Sequence, residues 1–115
     1  MRVYIAGPMR GIPQLNYPAF FEAKEHLEKL GHQVVCPPML DRALGYAHWE
    51  NADNPSCTQA QLREMMLIDL VAISHCDAVY VLDGWGDSRG CAVEMAFAEF
   101  LGIPLIGGVW VRNEY

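Results

Sequence analysis

The sequence predicts one α/β domain over residues 1–115, with a parallel sheet of four to five strands and helices on both faces. Short β-branched or aromatic runs alternate with segments of helical period, and glycine or proline residues separate them. A chain of 115 residues with 52% hydrophobic content is long enough for one core and too short for two ordinary domains. Strands separated by helices imply right-handed crossovers, as in flavodoxin-like and Rossmann-like domains.

The first half of the chain supplies two predicted strands and one helix. Residues 2–7 (RVYIAG) form an apolar run that ends at a Gly-Pro turn, which is typical of a buried strand. A helix is predicted from Pro18, which a first helical turn tolerates, to Gly31, a common stop residue. Residues 32–37 (HQVVCP) predict the second strand, closed by two prolines. Residues 39–56 have no sustained period and predict a long loop whose aromatic content favours a lid or a subunit contact.

The second half of the chain again alternates predicted helices and strands. Helical period returns from Thr58, an expected N-cap, to His75. Residues 77–85 (DAVYVLDGW) are the clearest predicted strand, and residues 87–102 (DSRGCAVEMAFAEFLG) predict the helix that follows. Residues 103–108 (IPLIGG) predict a last strand, and residues 109–115 (VWVRNEY) an edge strand or a tail that packs on a neighbouring subunit.

Charge and hydropathy exclude several classes of protein. A net charge of -6 with scattered basic residues argues against binding to a nucleic-acid polymer. No apolar run approaches the roughly 20 residues needed to span a bilayer, and no secretory signal pattern is present. We therefore expect a cytoplasmic protein that acts on small molecules.

Cysteine and histidine spacing gives no indication of a metal site. The four cysteines form no C-x-x-C pair, and three of them lie in or beside predicted core elements, where we expect buried thiols; they are Cys36, Cys57, Cys76 and Cys91. The histidines form no H-E-x-x-H pattern. Neither G-x-x-x-x-G-K-[ST] nor G-x-G-x-x-G occurs, which argues against an NTPase or a dinucleotide enzyme. No metal and no cofactor are expected.

Two carboxylates lie on otherwise apolar helix faces. Asp69 falls on the stripe of Leu62, Met66 and Ile73, and Glu94 lies among apolar residues one turn into the helix after the third strand. Each can have a structural explanation, Asp69 as a hydrogen-bond partner of a loop and Glu94 as an ion-pair partner of an arginine. Together they can approach the same end of a cleft. Two acids in different surroundings can divide the roles of nucleophile and proton donor.

Two polar loops follow the first and third strands, at the sheet edge where ligands of such folds bind. Ser88, Arg89 and Gly90 open a helix, whose N–H groups and dipole favour an anion such as phosphate, although a serine there is often only an N-cap. Tyr4 on the first strand fits a core residue, although a phenol at this end of the sheet can also orient Glu94 by a hydrogen bond. The first loop offers further candidate phosphate contacts, namely Gly7, Met9, Arg10 and Gly11.

These stretches resemble the nucleoside 2-deoxyribosyltransferase superfamily, in particular its small phage and bacterial branch. The resemblance rests on VYIAGPMRG, DLVAISHCDAVYVLDGW and SRGCAVEMAFAEFLGIPLI, which together extend over nearly the whole chain. It implies a nucleoside 2-deoxyribosyltransferase-like domain over residues 1–115. It also implies that Glu94 is a nucleophile forming a covalent sugar–enzyme intermediate, that Asp69 helps to protonate the leaving base, and that Tyr4 positions the nucleophile.

The resemblance also bears on the substrate. Nucleoside 5'-monophosphate N-glycosidases of the superfamily use a serine before the nucleophile helix and an arginine in the first loop to hold phosphate, which match Ser88 and Arg10. Free-nucleoside transferases use an acidic residue there, and Asp87 leaves that interpretation open. Whether water or a second base accepts the sugar is equally open.

Members of the superfamily complete each active site with residues of a neighbouring subunit, which implies a homodimer or a larger homo-oligomer with shared active sites. The competing class is a binding module that senses or sequesters nucleotides without cleaving them. A flavin carrier is the weakest alternative, because the first loop lacks a hydroxyl-rich phosphate turn.

Overall fold

A computed structural model describes residues 1–9, 12–45 and 58–107 of the chain. Arg10, Gly11, most of the predicted loop over residues 39–56 and the whole of residues 109–115 lie outside the described residues.

The described residues form one parallel sheet of four strands, in the order β2-β1-β3-β4. The strands are β1 (Arg2–Ala6), β2 (Gln33–Val35), β3 (Ala78–Val81) and β4 (Leu105–Ile106). In the central pair, Tyr4 is in register with Val79 and Ala6 with Val81. The predicted α/β fold with a parallel sheet of four to five strands is therefore confirmed.

In the described part of the chain, four α-helices connect or cover these strands: α1 (Tyr17–Lys29), α2 (Pro37–Ala43), α3 (Gln59–Ser74) and α4 (Arg89–Phe100). Thr58 caps α3 as predicted, in a reciprocal capping box with Gln61. Gly31 follows α1 with a left-handed φ of +92°, which explains why the helix ends there. In the described ranges, no helix is both long and apolar enough to cross a membrane.

The helix α2 was not predicted, and the expectation of a loop from residue 39 was wrong for its first residues. Pro37 and Pro38 end β2 but also open this helix, because the first helical turn needs neither their missing N–H groups nor a free φ. The N–H groups of Met39 and Leu40 donate to the carbonyl of Cys36 at 2.9 and 3.3 Å. A helix of seven residues is too short to show a helical period in the sequence.

Helices cover both faces of the sheet, as predicted. Alternate residues of each strand point to opposite faces. One face packs on α1, through a buried set that consists of Val3, Ile5, Phe20, Ala23, Leu27, Cys36, Ala78 and Leu82. The other face packs on α3 and α4, through Tyr4, Ala6, Ile73, Cys76, Val79, Val81, Cys91, Met95, Ala98 and Leu105. Cys36, Cys76 and Cys91 are buried thiols, as predicted, and Cys57 lies outside the described residues.

The strand order creates a crevice between β1 and β3. The chain leaves β1 toward α1 on one face, and it leaves β3 toward α4 on the other face. Such a switch of direction is where open parallel sheets bind ligands, outside the carboxyl ends of the strands. The two polar loops that the sequence singles out therefore border the same crevice.

Candidate active site

A hydrogen bond between Tyr4 and Glu94 lies between the sheet and α4. The phenol of Tyr4 donates to Oε2 of Glu94 at 2.5 Å. Tyr4 is 0% exposed and Glu94 6% exposed, and Glu94 is the buried charged residue among the side chains that the structure describes. Because a buried carboxylate requires hydrogen-bond partners, this bond stabilises Glu94 in its place.

The thiol of Cys91 lies one helical turn before Glu94. Burial, and second the negative charge of Glu94, raise the pKa of Cys91 to about 12. The thiol therefore stays neutral at physiological pH, and its Sγ atom lies 3.8 Å from Sδ of Met95. Since the thiolate is the reactive form of cysteine, Cys91 is an apolar neighbour of the carboxylate and not a competing nucleophile.

Ser88 is the N-cap of α4. Its Oγ accepts a hydrogen bond from the backbone N–H of Cys91 at 3.1 Å, and its backbone is extended. This geometry fits the interpretation of Ser88 as an N-cap, and it also leaves the hydroxyl proton able to donate to an anion. Arg89 is exposed and Gly90 half-buried at the start of the same helix, where the first N–H groups have no intrahelical acceptor. The side chain of Asp87 lies outside the described part of the chain.

The loop after β1 touches the loop after β3. A Cβ atom on Gly7 would lie 2.6 Å from Cδ1 of Leu82, so the backbone approaches Leu82 as only a glycine permits. A Cβ on Gly84 would lie 3.7 Å from Cγ of Pro8. Met9 is half-buried and packs on the apolar cluster beneath the loop. Gly7 and Met9 thus have packing roles, and the ligand contacts predicted for them from the sequence stay predictions.

Asp69 lies on the face of α3 that packs against α4. It is half-buried and shares a helix face with Met66 and Ile73, which are three and four residues away. Ile73 is fully buried in the cluster that contains Cys91, and the Cε atom of Met66 would lie 3.7 Å from a Cβ on Gly90. Along α3, Asp69 therefore lies between Met66, which is close to Gly90 of α4, and Ile73, which shares a buried cluster with Cys91 of α4.

Asn16 and Trp85 were missed by the sequence analysis. Trp85 follows Gly84, whose φ is +82°, and packs on the cluster between the sheet and α3 and α4. Asn16 has a φ of +61°, and its Nδ2 donates to the carbonyl of Pro8 at 2.9 Å. The available signal was that asparagine tolerates left-handed backbone better than most residues. Over residues 1–9, 12–45 and 58–107, no three metal-ligating side chains converge.

The fold and the crevice define a class of α/β domain that includes a solved enzyme. The chain is similar to a 2-deoxyribosyltransferase from the psychrotolerant bacterium Bacillus psychrosaccharolyticus, with a TM-score of 0.65, 22% identity, and coverage of 93% of this chain and 71% of that chain. At this identity the similarity shows a shared fold.

Residues 1–107 match the family described as "Domain of unknown function (DUF4406)", and the chain belongs to this family. Among curated proteins, none matches the sequence.

Proposed function

We propose that the protein cleaves the N-glycosidic bond of a nucleoside or deoxynucleoside 5'-monophosphate, releasing the free base and a sugar 5-phosphate. The observation that carries the proposal is the buried Glu94 carboxylate, held by the phenol of Tyr4 in the helix that leaves the switch point. The shared fold supports it, since the solved 2-deoxyribosyltransferase is described as a biocatalyst for the synthesis of nucleosides.

The proposed reaction is a double displacement. In the first step, a carboxylate oxygen of Glu94 bonds to the anomeric carbon, and the bond to the base breaks with its electron pair moving to the base nitrogen. Asp69 donates a proton to that nitrogen. In the second step, water bonds to the anomeric carbon, the ester to Glu94 breaks, and the water proton returns to Asp69.

Tyr4 has a positioning role in this scheme. Its hydrogen bond holds Oε2, so that the carboxylate is already oriented when the substrate arrives. The transition state resembles an oxocarbenium ion, and a fixed carboxylate beneath it stabilises the developing positive charge.

Deoxyribosyl transfer between bases on free nucleosides is the second candidate, and the solved enzyme of similar fold is named a 2-deoxyribosyltransferase. In that reaction a second base replaces water as the acceptor. A non-catalytic nucleotide-binding module is the alternative without chemistry, in which Glu94 only contacts the ligand.

The direct test is to incubate the protein with ribo- and deoxyribonucleoside 5'-monophosphates and the matching nucleosides, and to follow free base by chromatography. Release of base from monophosphates alone supports the proposal. Exchange of base on nucleosides, detected by adding a second free base, would support transfer instead. Tight binding of a nucleotide without release of base would contradict both enzymatic proposals.

Replacing Ser88 tests the proposed phosphate contact. Aspartate also caps helices, so Ser88→Asp is expected to retain the melting temperature while its charge repels phosphate. We expect kcat/KM for monophosphates to fall about tenfold to a hundredfold, with nucleosides retained, as for loss of a hydrogen bond to a charged group. Ser88→Asn, a neutral cap, is expected to show a smaller loss. Equal losses for nucleosides and monophosphates would contradict a phosphate site.

Association of several copies remains a proposal, supported by exposed apolar side chains on the neighbouring helices α3 and α4. Leu67 and Val71 lie one turn apart on α3, while Val93 and Phe100 lie two turns apart on α4. Light scattering after gel filtration is expected to show a dimer or a larger species for the wild type. The double variant Leu67→Lys with Phe100→Lys is expected to form a smaller species. Leu30→Lys, at the end of α1 on the other face, is the control. A monomeric wild type at micromolar concentration would contradict the proposal.

A further inference from the structure

Three consecutive residues before α1 have a left-handed backbone. The φ angles of Gln14, Leu15 and Asn16 are +58°, +52° and +61°. Residues other than glycine adopt this region singly, at a cost, so a run of three persists only where surrounding contacts hold it. The turn lies between the loop after β1 and the first turn of α1.

Apolar packing holds one side of this turn. Leu15 is buried beside Tyr17, and both pack on Met9, Phe21 and Met65. The N–H of Leu15 also donates to the carbonyl of Ile12 at 3.0 Å. Since Met65 belongs to α3, this small cluster joins the loop to the helix that carries Asp69.

The side chain of Asn16 holds the other side, by a hydrogen bond rather than by packing. Its Nδ2 donates to the carbonyl of Pro8 at 2.9 Å across eight residues, in a partly buried position. Pro8 follows Gly7, which approaches Leu82, and the Pro8 ring faces Gly84. Pro8 therefore lies where the two loops of the crevice meet, and Asn16 is tied directly to that junction.

We propose that Asn16 is a positioning residue for recognition of the substrate's 5'-phosphate. Its hydrogen bond fixes Pro8 within the loop after β1. Pro8 is the point where that loop meets Gly84 of the loop after β3, which ends at Ser88, so the bond sets the separation between the two loops. The proposal rests on the proposed function, because the phosphate is the group that these loops would grip. Asn16 acts through Pro8 and touches no reacting atom.

Two variants separate the hydrogen bond from the backbone conformation. Asn16→Gly adopts a positive φ without strain but has no donor. Asn16→Asp keeps the shape, but its carboxylate oxygens cannot donate to the Pro8 carbonyl. The matched control is Gln14→Gly, an exposed position with the same left-handed backbone in the same turn.

Both Asn16 variants are expected to raise KM for the monophosphate about tenfold, equivalent to one net hydrogen bond. We expect kcat for the monophosphate, and both constants for nucleosides, to change less than threefold, and Gln14→Gly to resemble the wild type. An unchanged KM in the Asn16 variants, or an equal rise in Gln14→Gly, would overturn the proposal.

Hydrogen–deuterium exchange of the unliganded protein gives a readout that needs no turnover. The amides of Gly7 and Met9, on either side of Pro8, are expected to exchange faster in Asn16→Asp than in Gln14→Gly, because only Asn16→Asp loses the hydrogen bond to Pro8. Equal exchange in the two variants would overturn the positioning role. A wild type that releases no base and binds no nucleotide would instead count against the proposed function, so the two failures are distinguishable.

Discussion

Glu94→Gln is expected to lower the rate of base release at least about a thousandfold, as is typical when a nucleophile is removed. The amide oxygen can still accept the hydrogen bond from Tyr4, so the buried pair keeps its geometry. An uncharged amide, however, neither attacks the anomeric carbon nor stabilises an oxocarbenium ion as a carboxylate does. We therefore expect loss of turnover with little change in melting temperature.

Four measurements test this expectation. Turnover is followed as free base, the fold by thermal unfolding, and nucleotide binding by calorimetry. Intact-mass spectrometry of acid-quenched wild type is expected to show added mass of one sugar phosphate, and Glu94→Gln is expected to show none. Turnover by Glu94→Gln at the wild-type rate would remove Glu94 from the nucleophile role, whatever the result for binding.

Tyr4→Phe is the matched control for Glu94→Gln, because it removes the hydrogen bond and retains the carboxylate. The loss in kcat is expected to be smaller, about tenfold to a hundredfold, since the nucleophile is present but less well oriented. The variant is also expected to lose about 1–3 kcal/mol of unfolding free energy, because the Glu94 carboxylate loses a buried partner. A loss in kcat as large as that of Glu94→Gln would indicate that Tyr4 itself takes part in the chemistry.

Gly7→Ala is expected to destabilise the protein, whereas Gly90→Ala is not. A Cβ on Gly7 would meet three atoms of the Leu82 side chain at 2.6–2.9 Å, at the buried junction of two loops. Overpacking of this kind costs about 1–3 kcal/mol. A Cβ on Gly90 would meet only the flexible end of Met66 at 3.7 Å, an ordinary contact.

The two alanine substitutions are therefore expected to change the melting temperature in different directions as well as by different amounts. Alanine is the better helix former, so Gly90→Ala is expected to leave the melting temperature unchanged or to raise it slightly. If a phosphate approaches the backbone at the start of α4, the same variant is expected to raise KM for monophosphates. Thermal unfolding of the two variants side by side is the measurement. Equal melting temperatures would contradict the close approach at Gly7.

Local sequence patterns were enough to predict most of the fold. Alternation of apolar runs and helical periods was enough to predict the parallel sheet, and Thr58 and Gly31 marked helix ends through interactions within a few residues. The two acids on apolar helix faces were visible for the same reason, since a helix face can be read from spacing. Such features depend on neighbours along the chain.

Contacts between distant segments depend on the tertiary structure. Tyr4 and Glu94 lie 90 residues apart in the sequence, and only the packing of β1 against α4 brings the phenol oxygen of Tyr4 to 2.5 Å from Oε2 of Glu94. Gly7 was predicted as a ligand contact, and only the structure shows its close approach to Leu82, which gives it a packing role as well. Asn16 became significant through its bond to Pro8. A sequence pattern shows which face a residue occupies, but the atoms that meet it there are determined by how the sheet and helices pack.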